Sequence, residues 1–369
     1  MRLDSRLVGT VLEARRKQSE DGLSDVQNAL SEKLPESFFE AEHVTLYVTG
    51  SFGRLEGRYD RSEPDKGSDL DVFFMYMPPD RSKCELSKLT WFRLIAAVID
   101  VADELRFKPF SKDGAFLKAH NVFHVGSELG SSNEDAENGF TARLLLLLEG
   151  RPLAGEQLFD QVLLETIGFY FRDFANNRKD FRPHALINDI LRYWRTLCLN
   201  YEHRREARRA ALDETRERIE ADGELDDDAK QVRTEEAYND FRMHSALDNI
   251  KLRHSRLALC FSMVAPLASH PDGITPEGVR ELCRTVPSDR WALAAERDPT
   301  GRAAELVPVI LGSYETFLDF VADTQCALES LREQEDRRRL RGNADVLGEN
   351  IAELLRCVAS ESQFRRLLV

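Results

Sequence analysis

The chain has 369 residues, with 51 Lys and Arg against 65 Asp and Glu, for a net charge of −14. That length suggests two domains, and 42% hydrophobic residues can fill two cores; 31% charged residues and only 13 Pro exclude a disordered or low-complexity chain. A pI near 5.2 argues against indiscriminate coating of nucleic acid, which depends on neutralising phosphates, but leaves room for one basic pocket on an acidic body.

Residues 1–40 read as amphipathic helix, with Leu3, Leu7, Val8, Val11 and Leu12 on one side, followed by Leu23, Val26, Leu30 and Leu34. His43–Thr49 alternates and is β-branched, the pattern of a strand. Gly50-Ser-Phe-Gly53 follows, then a helix-like 54–58 and a polar loop over 59–68. Asp69–Tyr76 reads as a second strand, 91–107 as a helix and 119–125 as a third strand. From Thr141 the strand signal fades, and helices are expected over 141–148, 158–175, 184–209, 245–267, 303–331 and 344–368. Residues 204–240 hold 8 basic and 13 acidic side chains, which suits a solvated helical hairpin turning at Asp222-Gly223, or a partly disordered insert. The expected fold is α+β. A small mixed β-sheet domain over 1–140 precedes a larger all-α domain over 141–369, with the charged insert inside the second.

The longest apolar runs, such as Leu144–Leu148, are too short to span a bilayer, and Met1-Arg-Leu-Asp-Ser does not start a signal segment. Six scattered cysteines without a C-x-x-C pair suggest reduced thiols and a cytoplasmic protein. The histidines show no ligand spacing, so no zinc site is expected.

The segment with chemistry in it is 48–74. Asp69 and Asp71, at i and i+2 on a strand, share one face about 7 Å apart. Leu70 and Val72 then face the core. Such a pair can hold two Mg2+ ions, which prefer carboxylate and phosphate oxygens. Gly50 and Ser51 enter a helix, where a small residue lets phosphate approach free amides and a hydroxyl adds a donor. Arg54 or Arg58 offers further charge. The segment contains neither a Walker A loop nor a dinucleotide fingerprint.

Gly50-Ser51-Phe52-Gly53-Arg54 followed by Gly67-Ser68-Asp69-Leu70-Asp71-Val72 resembles the signature of the DNA polymerase β-like nucleotidyltransferases. From Val48 to about Tyr201 the chain is similar to the amino-terminal part of bacterial PII-protein uridylyltransferases, and more so to uncharacterised bacterial nucleotidyltransferase-domain proteins. Phe140–Glu149, Gly155–Phe159 and Leu186–Arg205 carry that likeness. The resemblance implies Mg2+-dependent transfer of a nucleotide from a nucleoside triphosphate (ATP or another) to an acceptor hydroxyl on a protein, an RNA end or a small molecule. Asp69 and Asp71 would bind metal; Gly50 and Ser51 would cradle the triphosphate. The family's third carboxylate has no clear match, since His124-Val125-Gly126 stands at the corresponding place. Asp113, Glu128 and His124 itself are the substitutes, and a catalytically degenerate binding module is the alternative.

In the helical part, Asp189 and Arg192 lie on one line of a helix and suit a base or ribose; a capped, solvated face is the other reading. Lys251, in a basic cluster with Arg253 and Arg256, is the candidate that meets the triphosphate, with a basic face answering the acidic 213–240 stretch as its rival.

Overall fold

The protein is described by a computed structural model covering residues 10–81, 85–110, 114, 117–134, 138–178, 181–270, 273–361 and 364–365. Helix α1 (Val11–Lys33) starts at Thr10, whose hydroxyl accepts from the Glu13 amide. After α2 (Glu36–Glu42) come β1 (Val44–Val48), the four-residue α3 (Gly50–Gly53) and β2 (Val72–Tyr76). Next are α4 (Lys88–Glu104), β3 (Ala119–Asn121), α5 (Val122–Ser127), α6 (Gly139–Glu149), β4 (Arg151–Ala154) and α7 (Glu156–Gly168). The remainder is helical: α8 (His184–Ala221), α9 (Asp227–Lys251), α10 (Leu257–Ala268), α11 (Pro276–Arg284), α12 (Pro287–Ala295), α13 (Arg302–Phe320), α14 (Thr324–Ser330) and α15 (Gln334–Val358). No helix among the described residues is long and apolar enough to cross a membrane.

The sheet runs β3-β2-β1-β4. β1 is antiparallel to both β2 and β4, and β2 is parallel to β3. Alternation divides its side chains between two cores. Leu46, Val48, Val72, Phe74 and Tyr76 pack with α1 and α4. Tyr47, Phe73 and Met75 join the larger core built by the helices from α6 onward.

Three strands differ from expectation. The second begins at Val72, so Asp69 and Asp71, expected on the strand, lie in the irregular segment that leads into it. The third stops at Asn121 rather than Val125, because the Asn121 side chain accepts from the Phe123 and His124 amides and starts α5. β4 has no strand signal: Arg-Pro-Leu-Ala is short, and Pro152 is tolerated because the strand lies at an edge. The sheet therefore continues past residue 140, the border expected from composition. Residues 54–58 form no helix, since Leu55 adopts a left-handed φ of 57°.

The 204–240 stretch forms the outer part of an α8–α9 hairpin turning between Ala221 and Asp227. It projects from the body: past Tyr193 only Leu212 is buried in α8, and nothing before Met243 is buried in α9. Between α9 and α10 the helix runs on through one π turn, Leu252–Arg256.

Candidate functional site

The Gly50–Gly53 bend is built from both sides. Gly50 has φ +66°, and a Cβ placed on it would lie 2.3 Å from Oδ2 of Asp71. Only glycine lets that carboxylate close on the bend. The Thr49 amide donates to the Asp71 carbonyl at 2.9 Å, and so fixes the approach. Leu70 and Val72 are buried in the core under α1 and α4, while Asp69 and Asp71 are exposed and line the cleft with the bend. The two aspartates and the glycine–serine bend therefore face each other.

Behind the bend lies a residue to which the sequence reading gave no role, although it closes the Phe140–Glu149 stretch. Glu149, the last residue of α6, is almost fully buried. Its Oε1 accepts the Gly50 amide at 2.8 Å, and its Oε2 accepts from Arg54 at 2.6 Å. Arg54 also donates to Glu56 at 2.7 Å, and Tyr314 donates to the same Glu56 oxygen at 2.9 Å. Burial opposes the Arg54 charge, but Glu56 and Glu149 hold the guanidinium protonated. This alters two expectations. Arg54 commits its Nε and one Nη to buried carboxylates, which already balance its charge, and the Gly50 amide is taken by Glu149. Ser51 lines the cleft, and its carbonyl accepts from the Glu56 amide at 2.8 Å.

Gly50, Ser51, Asp69, Asp71 and Lys251 line one cleft of about 560 Å³, with Arg54 in its wall. Arg15, Arg58, Lys66, Lys108 and Arg256 add positive charge to it. Arg58 is partly engaged, donating to the Ala322 carbonyl. A smaller chamber of about 230 Å³ shares Gly50, Asp69, Asp71, Lys108 and Arg256 with the cleft. Its remaining walls include Leu70, Phe73, Phe110, Leu117, Leu145, Tyr193 and Leu197. The aspartates thus stand where a basic trough meets an apolar chamber.

Asp71 touches solvent but sits low in protein, and its carboxyl is raised to about 6 by burial, then by Glu149 and Asp69; Arg256 and Arg54 oppose the shift. Burial lowers the Lys251 ammonium, whose tip still reaches solvent; Arg256 and Lys108 add to this, while Asp248 and Asp69 counter it. Both cations come from the π turn and its preceding residue. The wider turn lets positions 251, 255 and 256 all face the cleft, where a regular α-helix would carry 256 about 140° away from 251. Sequence reading found the cluster but chose Lys251 alone. Arg256 lines both the cleft and the chamber with Asp71, and Arg253 instead pairs with Asp345 at 2.5 Å.

Asp189 and Arg192 do not reach the cleft. Asp189 accepts from Arg143 at 2.7 Å and Tyr170 at 2.6 Å, and lies 2.9 Å from Arg192. Arg192 also donates to Glu134 and lies 3.9 Å over the Phe140 ring. With the fully buried Arg143, which also pairs with Glu134, they tie α6 and α8 together. Their line on the helix was real, but its partners are protein groups.

His124 and Glu128 lie beyond the far end of β3. Ala119–Asn121 pairs in parallel with Phe74–Tyr76, so α5 leaves the sheet opposite the Asp69–Asp71 end. Neither lines the cleft or its chamber. Asp113 lies outside the described residues. Among the described residues no three His, Cys, Asp or Glu groups converge as a metal cage.

No protein-family model matches the chain, and no curated protein or solved structure matches it either.

Proposed function

We propose that the protein is a Mg2+-dependent nucleotidyltransferase, moving a nucleotide from a nucleoside triphosphate to an acceptor hydroxyl with release of pyrophosphate. One observation carries this reading: Asp69 and Asp71 open onto the same cleft as the Gly50–Ser51 bend, with Asp71 against the Gly50 Cα. The donor set suits a hard divalent cation. Two carboxylates crowd each other and Glu149, so the site gains from positive charge, and phosphate oxygens would complete the shell. When bound, Mg2+ would neutralise the phosphates and activate the attacking oxygen.

The chain's own groups supply the rest. Ser51 donates to a phosphate oxygen at the bend, and Arg256 and Lys251 offset the triphosphate charge along the trough. The apolar chamber accepts a flat base, with Phe110, Leu117 and Leu197 excluding water. Holding the α-phosphate beside the aspartates contributes through positioning and fixed charge.

The Asp69→Asn, Asp71→Asn double variant is expected to fold and to lose metal-dependent pyrophosphate release by at least about a thousandfold. Undiminished turnover in that variant refutes the reading. A second reading, nucleotide binding without transfer, is favoured by the engagement of Glu149, the carboxylate nearest the bend, with the Gly50 amide and Arg54. Calorimetry of triphosphate binding with and without Mg2+, beside a pyrophosphate assay across candidate acceptors, separates the two.

A further inference from the structure

Helix α4 covers the sheet with Leu94, Ala97, Val98 and Val101, all buried. Its opposite face is also apolar. Leu89 is 69% exposed, Phe92 64% and Ile99 39%, with exposed Ala96 between them. The spacing 89, 92, 96, 99 forms one stripe along a helix about 25 Å long. A helix that is apolar on both sides is normally covered on both.

Charge along the stripe is divided by sign. Lys88 and Arg93 flank its first half; Asp100, Asp103 and Glu104 flank its second. Arg93, Asp100 and Asp103 are exposed and have no ion-pair partner among the described residues. Ala96 lies at the centre: positions 92 and 100, 89 and 103, and 88 and 104 are equidistant from it.

We infer that this face binds a second copy of the chain, with two α4 helices antiparallel about a two-fold axis at Ala96. In that arrangement the small Ala96 residues meet at the crossing and let the helices approach. Phe92 of each copy covers Ile99 of the other. Arg93 lies beside Asp100 across the axis, and Lys88 beside Asp103, each contact occurring twice as an isologous interface requires; Glu104 is held within its own chain by Lys33 at 3.5 Å. A parallel pairing would set like charges together. An unrelated partner would need the same sign reversal at the same midpoint, which a second copy has by construction. The inference does not depend on the nucleotidyltransferase reading.

Sedimentation equilibrium of the full chain is expected to show a mass rising with concentration from 42.2 kDa toward twice that value. Phe92→Asp, at an exposed position, should leave the circular dichroism unchanged and weaken self-association by at least about 100-fold, since each dimer loses the contact twice. Leu89→Glu should act in the same direction. Arg93→Glu and Asp100→Arg should each weaken the dimer alone, and an equimolar mixture of the two should recover it, because mixing restores both ion pairs across the axis. A wild-type chain that stays monomeric overturns the inference, as does a dimer indifferent to Phe92→Asp or a mixture that fails to recover.

Discussion

Arg54 and Arg256 are both arginines in the wall of one cleft, yet they belong to different economies of charge. Arg54 is buried between Glu56 and Glu149, whereas Arg256 has no carboxylate partner within ion-pair distance among the described residues and faces Asp71. Arg54→Met would leave two buried carboxylates unpaired and should cost about 3–5 kcal/mol in urea unfolding. Arg256→Gln should leave unfolding nearly unchanged and weaken triphosphate binding about tenfold in calorimetry, the loss of one charge-assisted contact. If the effects were exchanged, Arg54 would be the phosphate ligand and the Glu149 clamp incidental. The sequence exposed Asp69, Asp71, Gly50 and Ser51 because their chemistry depends on local spacing. Glu149 was named only as the end of the Phe140–Glu149 stretch, because its partners Gly50 and Arg54 are remote in the chain and no local spacing shows what it holds. Asp189 and Arg192 misled for the reverse reason, since a helix line of polar groups looks the same whether a ligand or another buried side chain answers it.

At the level of elements, the long helices and the first two strands were legible because hydrophobic periodicity reports the face each one buries. Departures occurred where a few atoms outweigh the pattern: the Asn121 cap that ends β3, and the π turn at 252–256. α11 and α12 went unrecognised, although Pro276 and Pro287 sit in their first turns. Near its base the two helices of the α8–α9 hairpin are pinned to each other by Arg208 and Asp248 at 2.7 Å, while its outer part buries only Leu212. Replacing residues 210–238 by a short Gly-Ser turn should therefore shift Tm by no more than a few degrees and leave Mg2+-dependent triphosphate binding intact. Loss of folding would mean that the outer hairpin supports the core.

Across the whole molecule, buried histidines set a pH dependence. His254 is fully buried, its Nδ1 close to the Ile250 carbonyl and its ring stacked 4.9 Å from Phe317; burial lowers it to about 4, and Arg253 adds to this. His120 is lowered to about 4 by burial, then by Lys118 and His124. Unfolding returns each toward about 6.5, so between those values the unfolded chain binds more protons and stability falls as pH drops. Asp71, raised to about 6, works in the opposite direction over part of the same range, as does the raised Glu56. The wild-type curve alone is therefore a sum. The difference between wild type and His254→Gln in urea midpoints, taken from pH 7 to pH 4.5, should shrink toward acid by about 1–3 kcal/mol. A constant difference would show that His254 does not titrate on unfolding.

The corner at Glu149 also bears on where the molecule can be cut. Gly53 has no room for a side chain against the Glu149 carbonyl, and the Arg151 side chain donates to the Gly53 carbonyl at 2.8 Å. The bend near the amino end is thus cast against a mould contributed about a hundred residues later. A truncated gene product stopping at residue 140 would keep both aspartates and the glycine–serine turn in its sequence, yet lack the surface that shapes them. Any minimal recombinant version of this centre has to extend through β4.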